Sequence, residues 1–303
     1  MERYICVDIG GTSIKHGLIC TDGEFVEKGS LDTQAWKGAG HILERVNGVI
    51  ENYMAENTVN GLCISTAGIV DPMSGKIIHA NGNIPDYTGI GLKEYLQGKF
   101  SIPCEVENDV NCAGIAEAVS GAAADKNIAF CMTIGTGVGG CLLIDKKVFH
   151  GACNCACEVG YLQLQKGELE PEGCAGMLVR RVAERKGEPV GQWNGKKVLE
   201  GARKQDADCL DALDHLAEVL GVGIANICYV INPEVVVLGG GIMSREYEDL
   251  LYPRIRRAMD AHLIPLIAWH TELKMAVHRN EAGMLGAFFH FLQCREDVNK
   301  IHS

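Results

Sequence analysis

The chain has 303 residues, enough for about two domains with substantial cores. It carries 28 basic and 39 acidic residues, a formal net charge of −11, so no basic surplus is present to neutralise nucleic acid phosphates or to bind an acidic membrane surface. Hydrophobic residues make up 47% and charged residues 22%, which is typical of a folded globular protein and excludes a disordered one.

The N-terminus and the cysteines bear on cellular location. The first residues enter a short apolar segment without a basic leader, so we expect no signal peptide. No stretch approaches the roughly 18 uninterrupted apolar residues of a membrane span, so we expect no membrane protein. The fourteen cysteines are scattered, and Cys6, Cys63, Cys131 and Cys141 lie inside apolar strand-like segments. We therefore expect buried, reduced thiols and a cytoplasmic protein.

Strand-like and helix-like patterns alternate along the first half of the chain, which predicts an α/β fold. The predicted elements are strands at residues 4–7 and 14–20 with a turn at 10–11, a helix at 41–57, strands at 61–64 and 103–106, and a helix at 111–119. The helix at 41–57 carries apolar side chains at helical spacing, so we expect it to cover one face of a sheet.

The second half of the chain repeats this alternation. Its predicted elements are a strand at 127–134, loops from 150 to 195, a helix at 210–230, a strand at 234–238 and a helix at 282–292. We expect the last helix to pack back on the first lobe. The predicted division is a small lobe of residues 1–112 plus 282–303 and a large lobe of residues 113–281.

An internal similarity supports two related lobes. Residues 8–19 and 133–144 have equal length and the same layout of strand, glycine turn and strand. Two such hairpins indicate duplicated lobes that face each other across a cleft, a common place for ligands, with chance similarity of glycine-rich turns as the alternative.

Three glycine turns, each after an apolar strand, could bind phosphate through backbone N–H groups. They are Gly10, Gly11 and Thr12 with Lys15 nearby, then Gly135, Thr136 and Gly137, then Gly239, Gly240 and Gly241. Each alone is more typical of a structural tight turn, but their joint presence favours a nucleotide site. None fits the Walker pattern, and no strand–GxGxxG–helix unit is present.

Two aspartates are candidates for the chemistry. Asp8 lies beside the first turn and could hold a hydrated Mg²⁺ against nucleotide phosphates, or could simply accept N–H bonds from the turn. Asp109 follows a predicted inner strand together with Glu107 and Asn108, at the kind of strand end where site residues often lie. Its carboxylate suits either a helix cap or a catalytic base.

The motifs taken together resemble the ROK family of sugar kinases and repressors. They are residues 8–12 with Lys15, 65–68, 81–85, 107–111, 135–140, 156–160 and 238–242, in order along nearly the whole chain. The resemblance implies an actin/hexokinase-like (ribonuclease H-like) fold in which ATP and a sugar meet between two lobes.

The resemblance also implies roles for individual residues. Asp109 would be the base on the sugar hydroxyl, and the glycine turns would handle ATP. The implied sugar-site residues are Ala67, Gly68, Asn83, Asn108, Glu158 and Tyr161.

This chain departs from the family pattern around Glu158. The family has a histidine where this chain has Tyr161, followed by a cysteine cluster of which only Cys174 remains, so we expect no structural zinc. Cys153, Cys155 and Cys157 form an unusual alternating triplet whose side chains would point to different faces, which disfavours a metal site without excluding it. The missing histidine leaves the substrate open.

These observations predict an ATP-dependent kinase, with Mg²⁺, that phosphorylates a hexose or hexose derivative at the 6-hydroxyl. Glucose, N-acetylmannosamine and β-glucosides remain alternative substrates, and a non-catalytic sugar-binding regulator is an alternative function. The nucleotide motif begins at Asp8, which leaves no room before it for the DNA-binding segment of the family's repressors. The resemblance further implies a homodimer.

Overall fold

The computed structural model describes residues 1–80, 82–165 and 167–301. In chain order its strands are β1 (Arg3–Ile9), β2 (Ser13–Cys20), β3 (Phe25–Asp32), β4 (Gly61–Thr66), β5 (Ile69–Asp71), β6 (Lys76–His79), β7 (Cys104–Asn108), β8 (Ile128–Ile134), β9 (Val138–Ile144), β10 (Lys147–Val148), β11 (Gln163–Leu164), β12 (Gly167–Glu168), β13 (Val235–Gly239) and β14 (Glu272–Met275). Its helices are α1 (Ala39–Glu56), α2 (Leu92–Phe100), α3 (Asp109–Ser120), α4 (Leu169–Gly173), α5 (Ala175–Lys186), α6 (Gly195–Arg203), α7 (Ala207–Ile231), α8 (Glu248–His262), α9 (Pro265–His270) and α10 (Ala282–Ile301).

The chain divides into two compact units. Unit 1 comprises Met1–Val119, His150–Cys155 and Asn280–Ser303, and unit 2 comprises Ser120–Phe149 and Ala156–Arg279. Each unit holds one five-stranded sheet, with strand order β3-β2-β1-β4-β7 in unit 1 and β10-β9-β8-β13-β14 in unit 2. In both sheets the first three strands are antiparallel and the last two run parallel to the central one. The two hairpins seen in the sequence are therefore the same part of a duplicated sheet.

Two hydrophobic cores lie on the two faces of the unit 1 sheet. The side chains of β1 alternate, so Ile5, Val7 and Ile9 join the core under α1, whereas Tyr4 and Cys6 join the core that includes α10. The predicted helix at 41–57 is confirmed as α1 and covers the first face. The predicted final helix is confirmed as the start of α10, which packs on β1 and β4.

Unit 2 has one large core between its sheet and helices α4 to α8. By length and composition alone, helix α7 is long and apolar enough to cross a membrane, but half of its most apolar stretch is buried inside the protein. Buried residues of α7 such as Leu213, Leu216 and Leu220 belong to this core, as expected of a core helix in a folded domain. We therefore assign α7 to the interior of unit 2.

The prediction of loops from residue 150 to 195 is wrong. Helices α4 and α5 and the small β11–β12 hairpin lie within this range. In α5 the buried residues Met177, Leu178, Val182 and Ala183 form a stripe at helical spacing between charged residues. The prediction relied on the polar and glycine-rich composition of the whole segment and so missed this short periodic stretch.

Candidate active site

Strand register brings three polar side chains into one row in unit 1. Asp8 on β1 pairs with Ser65 on β4, and Ser65 pairs with Glu107 on β7. Their neighbours two residues earlier, Cys6 and Cys63, face the core beside α10, so the row points to that side of the sheet. Because all three lie near the carboxyl ends of parallel strands, they meet at one edge of the sheet, as ligand sites of α/β sheets do.

Asp8 is held by two side chains and by a closely packed helix. Ser65 Oγ donates a hydrogen bond to Asp8 Oδ1 at 2.7 Å, and Lys15 Nζ lies 3.6 Å from Asp8 Oδ2. Gly283 of α10 lies so close that a Cβ atom there would stand 2.5–2.7 Å from the Asp8 carboxylate atoms. The hydroxyl and ammonium groups therefore orient the carboxylate, and only glycine fits above it.

Asn108 caps helix α3 and orients Asp109, the first residue of that helix. Asn108 Oδ1 accepts hydrogen bonds from the backbone N–H groups of Val110 at 2.9 Å and Asn111 at 3.0 Å. Asn108 Nδ2 donates to Asp109 Oδ1 at 3.0 Å and to the carbonyl oxygen of Gly68 at 2.9 Å. The Asn108 amide thus satisfies the helix end, the role the sequence had left open for Asp109.

The Asp109 carboxyl titrates in an unusual range. Burial, and then the negative charge of Asp8, raise its pKa from 3.8 to about 7, against hydrogen bonds that favour the ionised form. Oδ1 accepts the bonds from Asn108 and from the Val110 N–H, at 2.9 Å, while Oδ2 accepts none found among the described residues. Asp109 therefore has an available oxygen and a pKa close to neutral pH, the properties of a general base.

Glu107 is fully buried and is paired with a histidine. His150 Nε2 lies 2.7 Å from Glu107 Oε2, and Oε1 accepts from the Asn108 N–H at 2.8 Å and Asn111 Nδ2 at 2.9 Å. Burial opposes ionisation of Glu107, but the bonds to its partners outweigh it and hold the pKa below the ordinary value. Burial alone would lower the pKa of His150, yet Glu107 raises it overall. The sequence had indicated Glu107 as part of a polar site, and in the structure its carboxylate contacts His150, Asn111 and the Asn108 N–H.

The first glycine turn, Gly10 to Thr12, joins β1 to β2 in unit 1. Thr33 fixes it, since Thr33 Oγ1 donates to the Gly10 carbonyl at 2.6 Å and the Thr33 N–H donates to the Thr12 carbonyl at 2.9 Å. Gly11 and Thr12 are exposed, and a Cβ at Gly11 would meet nothing within 4 Å. The turn is rigidly built and has room beside Gly11 for a bulky ligand.

The second and third glycine turns are neighbours in unit 2. The N–H of Gly241 lies 3.9 Å from where a Cβ of Gly135 would be, and the Gly135 N–H bonds the Gly137 carbonyl at 2.9 Å. Gly240 has a φ of +98°, and a Cβ there would stand 2.3–2.6 Å from the backbone of Ile134. Thr136 at the tip is exposed. Only glycine fits at position 240, because a side chain would force the two turns apart.

The residues expected around the sugar lie in both units. In unit 1 the Ala67 N–H bonds the Ile9 carbonyl at 3.1 Å, and Gly68, with a φ of +96°, presents its carbonyl to Asn108. Asn83 is exposed in the loop after β6. Asn81, part of the same motif, lies outside the described residues.

In unit 2 the two remaining sugar-site candidates share one short turn. Glu158 precedes a 3₁₀ turn over Val159–Tyr161, and both Glu158 and Tyr161 are exposed. In unit 1, two sets of predicted site residues are in contact. Lys15 contacts Asp8, and Asn108 contacts both Asp109 and Gly68.

Several residues at these sites were missed by the sequence analysis. Gly283 packs on Asp8, His150 pairs with Glu107, and Glu170 Oε2 accepts the Val138 N–H at 3.0 Å beside the second turn. Gly283 is followed at helical spacing by Gly286 and Ala287, and small residues spaced in this way can indicate close helix packing. The histidine and the glutamate carried no such signal, because their partners are distant in sequence.

The cysteines are free thiols, and nine of the fourteen are buried, including the four predicted to be. Cys174 is also buried and lies in the unit 2 core. In the alternating triplet the Cys155 thiol donates to the Cys153 carbonyl at 3.2 Å, and Cys157 has a φ of +65°. The ligand atoms of Glu105, His290 and Cys294 lie within 4.8 Å of one another, but Lys93 Nζ is 2.6 Å from Glu105 Oε2, so an ion pair already satisfies that carboxylate.

Comparison with known proteins identifies the relatives of this chain. An uncharacterised protein of Clostridium perfringens is 43% identical over 99% of this chain and 100% of its own length. A β-glucoside kinase of Listeria monocytogenes is 30% identical over 96% of this chain and 98% of its own length. A ROK family glucokinase of Streptomyces griseus, solved with glucose and AMPPNP, is 26% identical with a TM-score of 0.83, covering 94% of this chain and 97% of that one.

These likenesses agree with the duplicated sheets and confirm the actin/hexokinase-like fold expected from the sequence. The sequence pattern of the ROK family matches residues 4–293, nearly the full length. The chain therefore belongs to the ROK family.

Proposed function

We propose that this protein is an ATP-dependent sugar kinase that transfers the γ-phosphoryl group of ATP to a hydroxyl, the 6-hydroxyl, of a hexose or hexose derivative. The observation that carries the proposal is the Asp109 carboxylate, which Asn108 orients at the start of α3 and whose pKa of about 7 suits a general base. Membership of a family that includes a β-glucoside kinase and a glucokinase supports the same reaction.

In the proposed reaction Asp109 accepts the proton of the sugar hydroxyl. The sugar oxygen then forms a bond to the γ-phosphorus, and the bond between that phosphorus and the β–γ bridging oxygen breaks, so that ADP leaves. Phosphoryl transfer needs mainly positioning and charge stabilisation, so the value of Asp109 lies in its fixed place at the start of α3. Asn108 supplies that fixation, because its amide binds Asp109, the Gly68 carbonyl and the helix N-terminus together.

Asn108 consequently acts by positioning the base. Both amide hydrogens and the amide oxygen are already used by protein groups. The other sugar ligands proposed from the family pattern are Ala67, Gly68, Asn83, Glu158 and Tyr161. Tyr161 replaces a family histidine, so we expect the substrate preference of this chain to depend on its exposed ring and hydroxyl.

Asp8 in unit 1 is the carboxylate proposed to hold a divalent cation. The charge of Asp8 raises the pKa of Asp109, so a cation beside Asp8 would relieve repulsion between the two. Asp8 would hold Mg²⁺ through water, and the ion would neutralise charge on the phosphates of ATP. The exposed turn at Gly11 and Thr12 with Lys15, and the paired turns at 135–137 and 239–241, are proposed to bind ATP through their N–H groups.

The cellular setting follows from the thiols and from the family. We propose a cytoplasmic enzyme, because fourteen free cysteines suit a reducing compartment. We also propose a homodimer, from the resemblance to the family.

ADP release measured by a coupled assay tests the function. Purified protein with ATP and Mg²⁺ is supplied separately with glucose, N-acetylmannosamine, allose, fructose and a β-glucoside. We expect sugar-dependent ADP release with at least one of them, and the best substrate identifies the specific activity. Release of ADP with none of these sugars would contradict the kinase and favour a binding role.

A further inference from the structure

Glu107 connects a histidine that is distant in sequence to the start of helix α3. One of its carboxylate oxygens, Oε2, accepts a hydrogen bond from His150 Nε2 at 2.7 Å. The other oxygen, Oε1, accepts from the N–H of Asn108 at 2.8 Å and from Asn111 Nδ2 at 2.9 Å. Because the side chain is fully buried and both oxygens are used, these three donors fix its orientation.

The hydrogen bonds continue from Glu107 to the proposed base. The N–H that Glu107 binds belongs to Asn108, whose Oδ1 caps α3 and whose Nδ2 donates to Asp109 Oδ1 at 3.0 Å. A continuous chain of contacts within unit 1 therefore leads from His150 to Asp109. A shift of the Glu107 carboxylate would move the Asn108 backbone, and with it the amide that holds the base.

His150 reaches Glu107 from a separate stretch of the chain. The residues His150–Cys155 belong to unit 1, although the residues on both sides of this stretch belong to unit 2. A buried ion pair adds little net stability compared with well-packed apolar side chains, because both charged groups lose their hydration. The His150–Glu107 pair is therefore better suited to fixing the direction of a carboxylate than to stabilising the fold.

Loss of His150 would change the hydrogen bonds of Glu107. His290 Nδ1 lies 4.0 Å from the same Oε2 atom, which is too far for a hydrogen bond. Without His150 the buried carboxylate has to turn toward His290 or take up a proton, because an ionised oxygen without a donor is costly in the interior. Turning moves Oε1 and protonation weakens it as an acceptor, so both responses loosen the bonds to Asn108 and Asn111.

We propose that His150 is a positioning residue for phosphoryl transfer, which holds the Asp109 carboxylate in place through Glu107 and Asn108. This inference deepens the proposed function, and it rests on the proposed role of Asp109 as the base. A displacement of about 1 Å at a reacting group can lower a rate about 10²-fold, so a small movement of Asn108 has a large effect on kcat. The sugar has other proposed ligands, so its Kd should change much less.

The test compares His150→Leu, which is apolar and of similar size, with His150→Gln, which keeps a donor. His262→Leu is the matched control, because His262 Nε2 lies 2.8 Å from a glutamate oxygen, Glu218 Oε1, in unit 2. With the best sugar of the panel, ADP release gives kcat, and calorimetry without ATP gives the Kd of the sugar. A third measurement needs no activity: the hydrogen exchange of the N–H groups in residues 108–111.

We expect His150→Leu to lower kcat about 10–100-fold, to change the sugar Kd less than about threefold, and to accelerate exchange in residues 108–111 at least about tenfold. His150→Gln should retain at least about a third of the wild-type kcat, because its amide can donate to Glu107. His262→Leu should match the wild type in all three measurements. Circular dichroism verifies that each variant is folded.

The inference is overturned by a folded His150→Leu variant that keeps the wild-type exchange rates or the wild-type kcat. Equal losses of kcat in His150→Leu and His150→Gln would also overturn it, because the donor would then be irrelevant. If the wild type releases ADP with no sugar of the panel, the kinase is contradicted. The exchange rates in residues 108–111 then decide by themselves whether His150 holds the start of α3.

Discussion

Asp109→Asn should stabilise the protein while removing its activity. The ionised Asp109 carboxylate is buried beside Asp8, and its pKa is about 7 instead of 3.8. At about 1.36 kcal/mol per pKa unit, the ionised form costs the folded state up to about 4 kcal/mol above pH 7. An asparagine keeps an acceptor oxygen for Asn108 and Val110 and carries no charge. Allowing for relaxation around the ionised group, we expect a gain of about 1–3 kcal/mol.

The sign of the effect changes with pH in a defined way. Because the folded pKa of Asp109 is raised, the native state binds more protons than the unfolded chain between about pH 4 and pH 7. The cost to wild-type stability therefore grows through that window and is complete above pH 7. The advantage of Asp109→Asn should be near zero at pH 4 and largest at pH 8.

Thermal unfolding at pH 4, 6 and 8 measures this difference. We expect the Tm of Asp109→Asn to exceed that of the wild type by roughly 3–8 °C at pH 8. Asp22→Asn, a change at an exposed turn carboxylate whose Oδ1 accepts the Glu24 N–H, serves as the control and should show no such pH-dependent difference. A Tm difference for Asp109→Asn that is absent at pH 8, or equal at pH 4 and pH 8, would refute the argument that burial and Asp8 raise the pKa.

Substitutions at Gly286 and at His150, each with a comparison variant, test the packing and the buried ion pair. Gly286→Ala should lower the free energy of unfolding by at least about 2 kcal/mol, because its Cβ would lie 1.7 Å from the Cys112 carbonyl oxygen. Gly48→Ala, which has open space around it, should raise the free energy of unfolding by about 0.5–1 kcal/mol. Equal urea midpoints for the two variants would contradict the close packing of α10 on α3. His150→Ala should lower the free energy of unfolding by about 3–5 kcal/mol, because the Oε2 atom of buried Glu107 loses its close partner and keeps only His290 at 4.0 Å. His150→Gln, which keeps a donor, should cost less. The His150–Glu107 contribution should be present between the lowered pKa of Glu107 and the raised pKa of His150 and should decline outside that range, so a flat pH dependence of the His150→Ala effect would contradict it.

Much of the fold could be predicted from the sequence because its signals are local. The hairpin glycines, the stripe of α1 and the apolar strands each lie within a few residues, and all are confirmed. The similarity of residues 8–19 and 133–144 predicted duplication, and the identical order of the two sheets explains it. The helices of the 150–195 segment were missed because glycine and charge dominate its composition while only a short stripe repeats.

The candidate site was harder to predict, because its contacts join distant parts of the chain. Asp8 and Asp109 were predicted as site residues from their positions at the ends of strands. What sets the pKa of Asp109 is its burial and the approach of Asp8, which depend on strand register and on the packing of α10. Asn108 was predicted to contact the sugar, and the structure adds contacts that the motif did not indicate, because its amide caps α3 and binds Asp109. Which of two adjacent polar residues caps the helix and which keeps a carboxylate for substrate depends on hydrogen-bond geometry, and a sequence motif does not contain that geometry.

The pH dependence of turnover tests the central claim most directly, namely that the Asp109 carboxylate is the base of a sugar kinase. With the best sugar from the panel, kcat/KM for the wild type should fall about tenfold per pH unit below about pH 7, as Asp109 takes up a proton. Asp109→Asn should lose at least about 10²-fold in kcat while retaining sugar binding. A wild-type profile that stays flat from pH 8 to pH 5, or a variant that turns over at the wild-type rate, would contradict the account.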